Sequence, residues 1–261
     1  MTILKQEIKS QKMAILIWSL SIGLLIGMCV LMYPEMESQM GSVNEMFSKM
    51  GSFTSAFGMD RLNFGTLVGF YAVEGGNMLG IGGAFFAAII GISALMKEEH
   101  DHTAEFLFAH PVSRVRVITE KLLSIFANIV ILNIIVLLLS IGSILLIGEE
   151  IFWKELLLFH LAYLLMQFQI AGICFGVSAF LVRGGLGIGI GIAGLMYFLN
   201  IVANISDSAR FLKYITAFGY TETADIINNG KLEIRYLIPG MAMMVIGIIC
   251  AYGKYTKKDL R

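Results

Sequence analysis

The stretch Lys97–Lys121 reads KEEHDHTAEFLFAHPVSRVRVITEK and separates two long apolar runs. It carries five acids, four bases and three of the four histidines in the chain. Apolar runs of about 20 residues are long enough to cross the hydrocarbon core of a bilayer, whereas a cluster of charges inside that core is costly. The stretch therefore lies in water, and the chain crosses a membrane on both sides of it.

The composition excludes several classes of protein. The 261 residues are 57% hydrophobic and 15% charged, whereas soluble domains average roughly 45–50% apolar and about 25% charged residues. This excludes an ordinary soluble domain and a disordered chain, and the net charge of zero gives no case for nucleic-acid binding. Cys29, Cys174 and Cys250 lie in three separate apolar runs without metal-ligand spacing, which indicates buried side chains rather than a disulfide framework.

The apolar runs predict an all-α, polytopic integral membrane protein that forms a single transmembrane domain over residues 1–261. The six predicted spans are 13–32, 77–96, 122–147, 155–182, 186–203 and 236–253. The first run is longer than a usual signal-peptide core, and no A-x-A-like cleavage site follows it, so we expect a retained span. Residues 33–76 and 204–235 are expected to form extracellular loops. Within the first loop, 62–73 is too short to cross and is expected to re-enter the membrane or pack on other helices.

The N-terminal segment 1–12 mixes apolar and basic residues at helical spacing, namely Leu4 and Ile8 with Lys5, Lys9 and Lys12. This pattern is typical of a short interfacial helix on the inner membrane surface, and a disordered basic tail is the alternative. Lys and Arg are denser on the N-terminal side of the membrane than in the outer loops, which predicts cytoplasmic N- and C-termini. Lys97–Lys121 is then a cytoplasmic loop of a multi-pass protein of the cell membrane.

No catalytic or metal site is predicted from the motifs. The sequence contains no G-x-x-x-x-G-K-[ST] nucleotide-binding loop. A G-x-G-x-x-G pattern starts at Gly189, but it lies inside an apolar span without a preceding strand, which favours helix packing. His100, His102 and His110 lack nearby cysteines and an i, i+4 histidine pair, so they indicate a solvated polar surface rather than a metal site.

Polar residues inside the predicted spans form a second group of candidates. Three of them, on span 4, are spaced i, i+3 and i+7 and share one helix face. Interhelical hydrogen bonding is the expected role of such residues, and contact with a transported substrate is the alternative. The candidates for a substrate pathway are Asn128, Asn133, His160, Tyr163, Gln167 and Asn200. No acid or base lies deep in any predicted span, which weakens the case for an ion-coupled transporter.

The polar stretch itself predicts two short helices. Thr103 can cap a helix whose first turn carries Glu105, and Phe106 and Leu107 supply an apolar surface. Pro111 ends that helix, and Ser113 can cap the next one. A short capped helix held between two spans is suited to dock in a cleft of a soluble partner and to move with it.

This stretch resembles the cytoplasmic loop of ABC-2 type permeases, whose consensus is approximately E-x-x-x-G-T-x-E-x-L-L-x-x-P-V-S-R, with a Lys at the next span. The matching residues are Glu99, Thr103, Glu105, Leu107, Pro111, Val112, Ser113, Arg114 and Lys121. His102 departs from the glycine of the family. The segment Glu7-x-Lys9 before a span with Trp18 resembles the basic elbow helix of the family, and the tail Tyr255–Leu260 resembles its Y-x-[KR]-[KR]-D-[LF] ending. The resemblance covers essentially the whole chain.

The resemblance implies the transmembrane subunit of an ATP-binding cassette (ABC) transporter with the ABC-2, type V exporter-like fold. Such permeases form homo- or heterodimers in the lipid membrane, mostly of bacteria, and bind two ATPase subunits. The ATPases would hold ATP and Mg, so this chain would bind no cofactor itself and would not be an enzyme. The residues implied in ATPase coupling are Glu98, Glu99, Thr103, Glu105, Phe106, Leu107, Pro111 and Arg114.

The family implies export of a hydrophobic or amphipathic substrate such as a drug, an antimicrobial peptide or a lipid-like molecule. In many members the loop before the last span is a helical hairpin that dips into the outer leaflet, and 209–229 could form it. Two other functions stay open: an ATP-independent, ion-coupled transporter or channel, and a membrane-embedded enzyme or immunity protein that acts by binding. Co-purification with an ATPase favours the permease, whereas transport by the chain alone under an ion gradient favours the transporter or channel. The third class predicts function without ATP hydrolysis.

Overall fold

The computed structural model describes residues 2–37, 51, 54, 56, 61–96, 112–182 and 184–257. Its main elements are the helices α1 (Thr2–Glu37), α2 (Leu67–Ser93), α3 (Arg114–Leu146), α4 (Trp153–Ser178), α5 (Gly185–Ile205), a 3₁₀-helix (Asp207–Tyr214), α6 (Thr223–Asn229) and α7 (Ile234–Tyr255). Six of these helices, α1 to α5 and α7, are long and apolar enough to cross a membrane. The predicted all-α fold with six membrane-spanning helices is confirmed.

The first helix corrects the prediction of a separate interfacial helix over 1–12. Leu4 and Ile8 lie on the same stripe of α1 as Ile15 and Ile22, which are buried. No proline or glycine interrupts residues 2–22, so the helix continues from its N-terminus into the span. At its other end α1 continues past Pro34 to Glu37, which shortens the predicted loop 33–76.

The second helix begins ten residues before the predicted start of span 2 at residue 77. Thr66 caps α2, because its side-chain oxygen accepts a hydrogen bond from the Gly69 amide at 3.2 Å. The second part of the apolar stretch 62–73, residues 67–73, therefore supplies the first two turns of a span and is not a separate re-entrant segment. Glu74 therefore belongs to a membrane-spanning helix, two turns from its first residue, and is half-buried.

The third helix begins at Arg114, so the last eight residues of the polar stretch belong to a long helix rather than to a loop. Ser113 caps it by accepting a hydrogen bond from the Arg116 amide at 3.3 Å, as the sequence predicts. Because α3 starts at the end of the polar stretch, any displacement of that stretch reaches this helix directly.

The spans pack mainly as α1 on α3, α2 on α4, α4 on α7 and α2 on α5. Glycines allow the closest approaches. A Cβ added at Gly91 of α2 would lie 2.5 Å from the carbonyl oxygen of Ala171 on α4, and one at Gly176 of α4 would lie 2.6 Å from that of Gly247 on α7. Close backbone contact of this kind is how helices associate in lipid, where burial of apolar surface gives little driving force.

The segment between α5 and α7 folds back over the ends of the spans on the side predicted to be extracellular, which we call the outer side; the opposite side is called the inner side. The 3₁₀-helix packs on α5 and α7, and α6 packs on α2 and α4. The Thr216 hydroxyl donates a hydrogen bond of 2.7 Å to the carbonyl of Met196, which fixes the intervening turn on α5. α6 ends at Gly230, whose positive φ of 59° is a conformation that glycine adopts readily. The segment therefore covers the outer ends of α2, α4 and α5.

Candidate functional site

The inner ends of α1, α3 and α7 are joined by charged residues. Arg114, the first residue of α3, donates hydrogen bonds of 3.4 and 3.3 Å to the carbonyls of Tyr255 and Thr256 at the end of α7. Carbonyl groups at a helix C-terminus have no partner within the helix and carry partial negative charge, so a guanidinium group suits them. This contact fixes the start of α3 to the end of α7.

The same turns of α3 also hold α1. The Lys121 ammonium lies 2.8 Å from the Glu7 carboxylate, and Lys121 is only 1% exposed. The Glu120 carboxylate accepts hydrogen bonds from the Leu4 amide at 3.1 Å and from Arg116 Nε at 2.9 Å. We call the contacts of Arg114, Glu120 and Lys121 with α1 and α7 the inner junction. It joins the first turns of α3 to two other spans.

Most of the residues implied in ATPase coupling cannot be placed relative to this junction. Arg114 is part of it. The other seven, Glu98, Glu99, Thr103, Glu105, Phe106, Leu107 and Pro111, lie outside the described residues, as do His100, His102 and His110. Their role in coupling stays a prediction.

The polar residues predicted within the spans mostly bond to other helices. The Asn128 amide donates a 2.6 Å hydrogen bond to Gln11 Oε1, which joins α3 to α1. Asn133 Nδ2 donates to Gln167 Oε1 at 2.7 Å, which joins α3 to α4. Each of these buried amides gains a partner that lipid could not supply. The structure therefore shows interhelical hydrogen bonds here, and a role in substrate passage stays a prediction.

His160 lies in an aromatic network nearer the outer side. Its Nε2 is 2.9 Å from the Tyr71 hydroxyl, whose single proton is donated to Ser140 Oγ at 2.9 Å. The rings of Phe152 and Phe159 pack edge-on against Tyr71. These contacts link α2, α3 and α4. Tyr163 and Gln167 also lie against α2, at Gly76 and Gly83, so the three residues share one face of α4 as predicted.

Tyr163 and Asn200 come together at a cavity beneath the outer segment. The cavity is lined by α2, α4, α5 and residues 221–223, and its volume is about 40 Å³. The Tyr163 hydroxyl donates a 3.3 Å hydrogen bond to the Thr221 carbonyl. Pockets for drug-sized ligands measure roughly 300–1,000 Å³, so this cavity has room only for water or a small polar group and would have to widen to admit a larger molecule.

An ionic cluster covers the cavity on its outer side. The Arg61 guanidinium lies 2.7 Å from Asp225 and 3.4 Å from Glu222, and Lys213 lies 3.8 Å from Glu222. Asn204 Nδ2 donates to Glu222 at 2.8 Å. Burial raises the pKa of Glu222, and Lys213 and Arg61 oppose that rise. Burial also lowers the pKa of Lys213. This cluster joins the segment before α2 to the segment after α5.

The sequence predictions included only two of the polar residues that line the cavity. The lining also contains Asn77, Tyr197, Asn204 and Glu222. Asn204 follows Asn200 by one helical turn and was detectable by that spacing. Glu222 gave no signal, because its partner Arg61 lies far away in the sequence and Lys213 and Asn204 are not one helical turn away from it.

The fold and these contacts define a polytopic α-helical membrane protein whose inner ends form one charged junction and whose outer end is covered. The family model described as ABC-2 family transporter protein matches residues 1–253. Because this match covers nearly the whole chain, the chain belongs to the ABC-2 transporter family, as its resemblance in the polar stretch and at both ends predicts. Among curated proteins, none matches this sequence.

Proposed function

We propose that this chain is the permease subunit of an ABC transporter, in which a separate ATPase hydrolyses ATP to drive export of a hydrophobic or amphipathic molecule. The observation that carries the proposal is the family match over residues 1–253. The lack of a nucleotide-binding loop in the sequence agrees with hydrolysis by another chain. Two ATPases and a second permease, identical or related, would complete the transporter.

The inner junction supports a mechanical role for α3. A docked ATPase would move the first part of the polar stretch, and the last eight residues of that stretch are the first turns of α3. Arg114 would carry this movement to α7 through the Tyr255 and Thr256 carbonyls, and Lys121 would carry it to α1 through Glu7. Since all three helices cross the membrane, a displacement at the inner end would change their arrangement near the outer side.

The outer end supports a closed state. The cavity at Tyr163 and Asn200 is too small for a drug-sized molecule, and the cluster of Arg61, Glu222 and Asp225 covers it. Export would require the covering segment to move away from α2 and α4. The polar lining would then face a passing substrate.

Co-purification and transport assays test this function. The full chain, co-expressed with the ATPase encoded beside it, is expected to co-purify with that ATPase and to transport in liposomes only with ATP. Glu105→Ala or Arg114→Ala should reduce ATP-driven transport, whereas Glu149→Ala, in the exposed turn after α3, should not. Failure to associate with the ATPase, or transport by the chain alone under an ion gradient, would contradict the proposal.

A further inference from the structure

The N-terminal turns of α1 present a basic stripe on their exposed side. Lys5, Lys9 and Lys12 are spaced i, i+4 and i+7, so they lie on one helix face. All three side chains are exposed, and none makes an ion pair within the part of the chain that the structure describes. The same face continues without a break into Leu16 and Leu20, one and two turns beyond Lys12, which are 48% and 36% exposed. This face of α1 therefore changes from basic to apolar between Lys12 and Leu16.

The opposite face of these turns is already occupied by α3. Glu7 contacts Lys121, Gln11 accepts from Asn128, and the Leu4 amide donates to Glu120. Among the described residues of this corner, both acids, Glu7 and Glu120, are thus engaged on the buried side, since Glu120 also accepts from Arg116. Three positive charges remain on the outward side, where no carboxylate of the described residues neutralises them.

Helix length places the stripe at the membrane surface. At about 1.5 Å per residue, the segment from Met13 to Glu37 extends roughly 36 Å, which covers a hydrocarbon core of about 30 Å. Lys12 then lies at the edge of the core, and Lys5 lies about 10 Å farther out. This interval is the headgroup region, where long lysine side chains reach phosphate oxygens while their stems stay on apolar surface.

We propose that Lys5, Lys9 and Lys12 form a binding site for the phosphate headgroup of an anionic lipid, with its acyl chains along the apolar face that begins at Leu16. The continuity of the basic and apolar stripes favours a lipid over an acidic protein surface, because a soluble partner would meet only the three outermost turns. Each lysine near an anionic surface contributes about a fivefold gain in binding. The three together give about a hundredfold preference for an anionic over a zwitterionic lipid.

Native mass spectrometry of the full-length protein tests this site. The protein is purified in a mild detergent and titrated with phosphatidylglycerol or phosphatidylcholine as the two probes. We compare wild type with the triple variant Lys5→Gln/Lys9→Gln/Lys12→Gln and with Lys5→Arg/Lys9→Arg/Lys12→Arg, which keeps the charge. The matched control, Lys154→Gln/Arg210→Gln/Lys231→Gln, removes three exposed bases at the outer end.

The expected result is a preference for phosphatidylglycerol that the triple Gln variant loses by about a hundredfold. The triple Arg variant and the outer-end control should keep it. An unchanged preference in the triple Gln variant would overturn the proposal, as would an equal loss in the outer-end control or in the triple Arg variant. Loss of ATPase co-purification with an unchanged lipid preference would assign the stripe to an acidic protein surface and would also overturn it. The lipid measurement does not depend on the proposed transport function.

Discussion

Removal of the lysine from the inner junction gives the sharpest test of the packing described above. In Lys121→Met, the Glu7 carboxylate loses the ammonium that lies 2.8 Å away, while methionine keeps much of the apolar stem of lysine. The side chains of Lys121 and Glu7 are only 2% and 13% exposed, so solvent replaces little of the lost interaction. The change therefore leaves a largely buried carboxylate without its cation.

The expected loss follows from the burial of the pair. Breaking a buried ion pair by removing one partner costs about 3–5 kcal/mol. Because Glu7 keeps some contact with solvent, we take the lower end, about 3 kcal/mol. For a chain of this size that loss lowers the midpoint of thermal unfolding by about 6–12 °C.

The double variant Glu7→Leu/Lys121→Met distinguishes the effect of the unpaired carboxylate from the effect of lost packing. Replacing both partners of a buried pair with apolar residues is often neutral or stabilising, so this variant should recover most of the lost stability. Arg235→Met is the control, because its contact with Glu233 is exposed and is worth at most about 1 kcal/mol.

Thermal unfolding of the purified protein in detergent measures all four proteins under one condition. The reasoning is refuted if Lys121→Met unfolds at the temperature of wild type. It is also refuted if the double variant is as unstable as Lys121→Met, because the loss would then come from lost packing rather than from the carboxylate.

Three further predictions concern packing, pH and the cavity. Gly91→Leu should prevent α2 from packing on α4 and give an aggregated protein by size-exclusion chromatography, whereas Gly142→Leu, where a side chain meets open space, should stay monodisperse. Because burial raises the pKa of Glu222, the folded state holds its proton more tightly than the unfolded state. The stability that this proton gives is present below the ordinary glutamate pKa of 4.5, and it is lost as the pH rises through the raised pKa of the folded state. Glu222→Gln cannot lose a proton, so its unfolding temperature should fall less with rising pH than that of wild type. If Asn200 lies on the substrate path, Asn200→Leu should reduce ATP-driven transport while ATPase co-purification stays as in wild type.

The sequence by itself determined the features that depend on local chemistry. Runs of apolar residues long enough to cross a bilayer identified six spans, because each run needs only its own length and composition to be recognised. Ser113 was identified as a cap for the same reason, since a cap bonds within its own first turn. The motif in the polar stretch likewise indicated the family, because its matching residues follow one another along the chain.

Only the tertiary structure decided which helix each residue meets. Asn133 finds Gln167, and Lys121 finds Glu7 more than a hundred residues away. These pairings depend on the rotation and depth of each helix in the bundle, which no local pattern specifies. The start of α2 before residue 77 was also decided by the tertiary structure. Glu74 and the glycines after it weaken the apolar signal of this segment in the sequence, but its residues are buried against neighbouring helices.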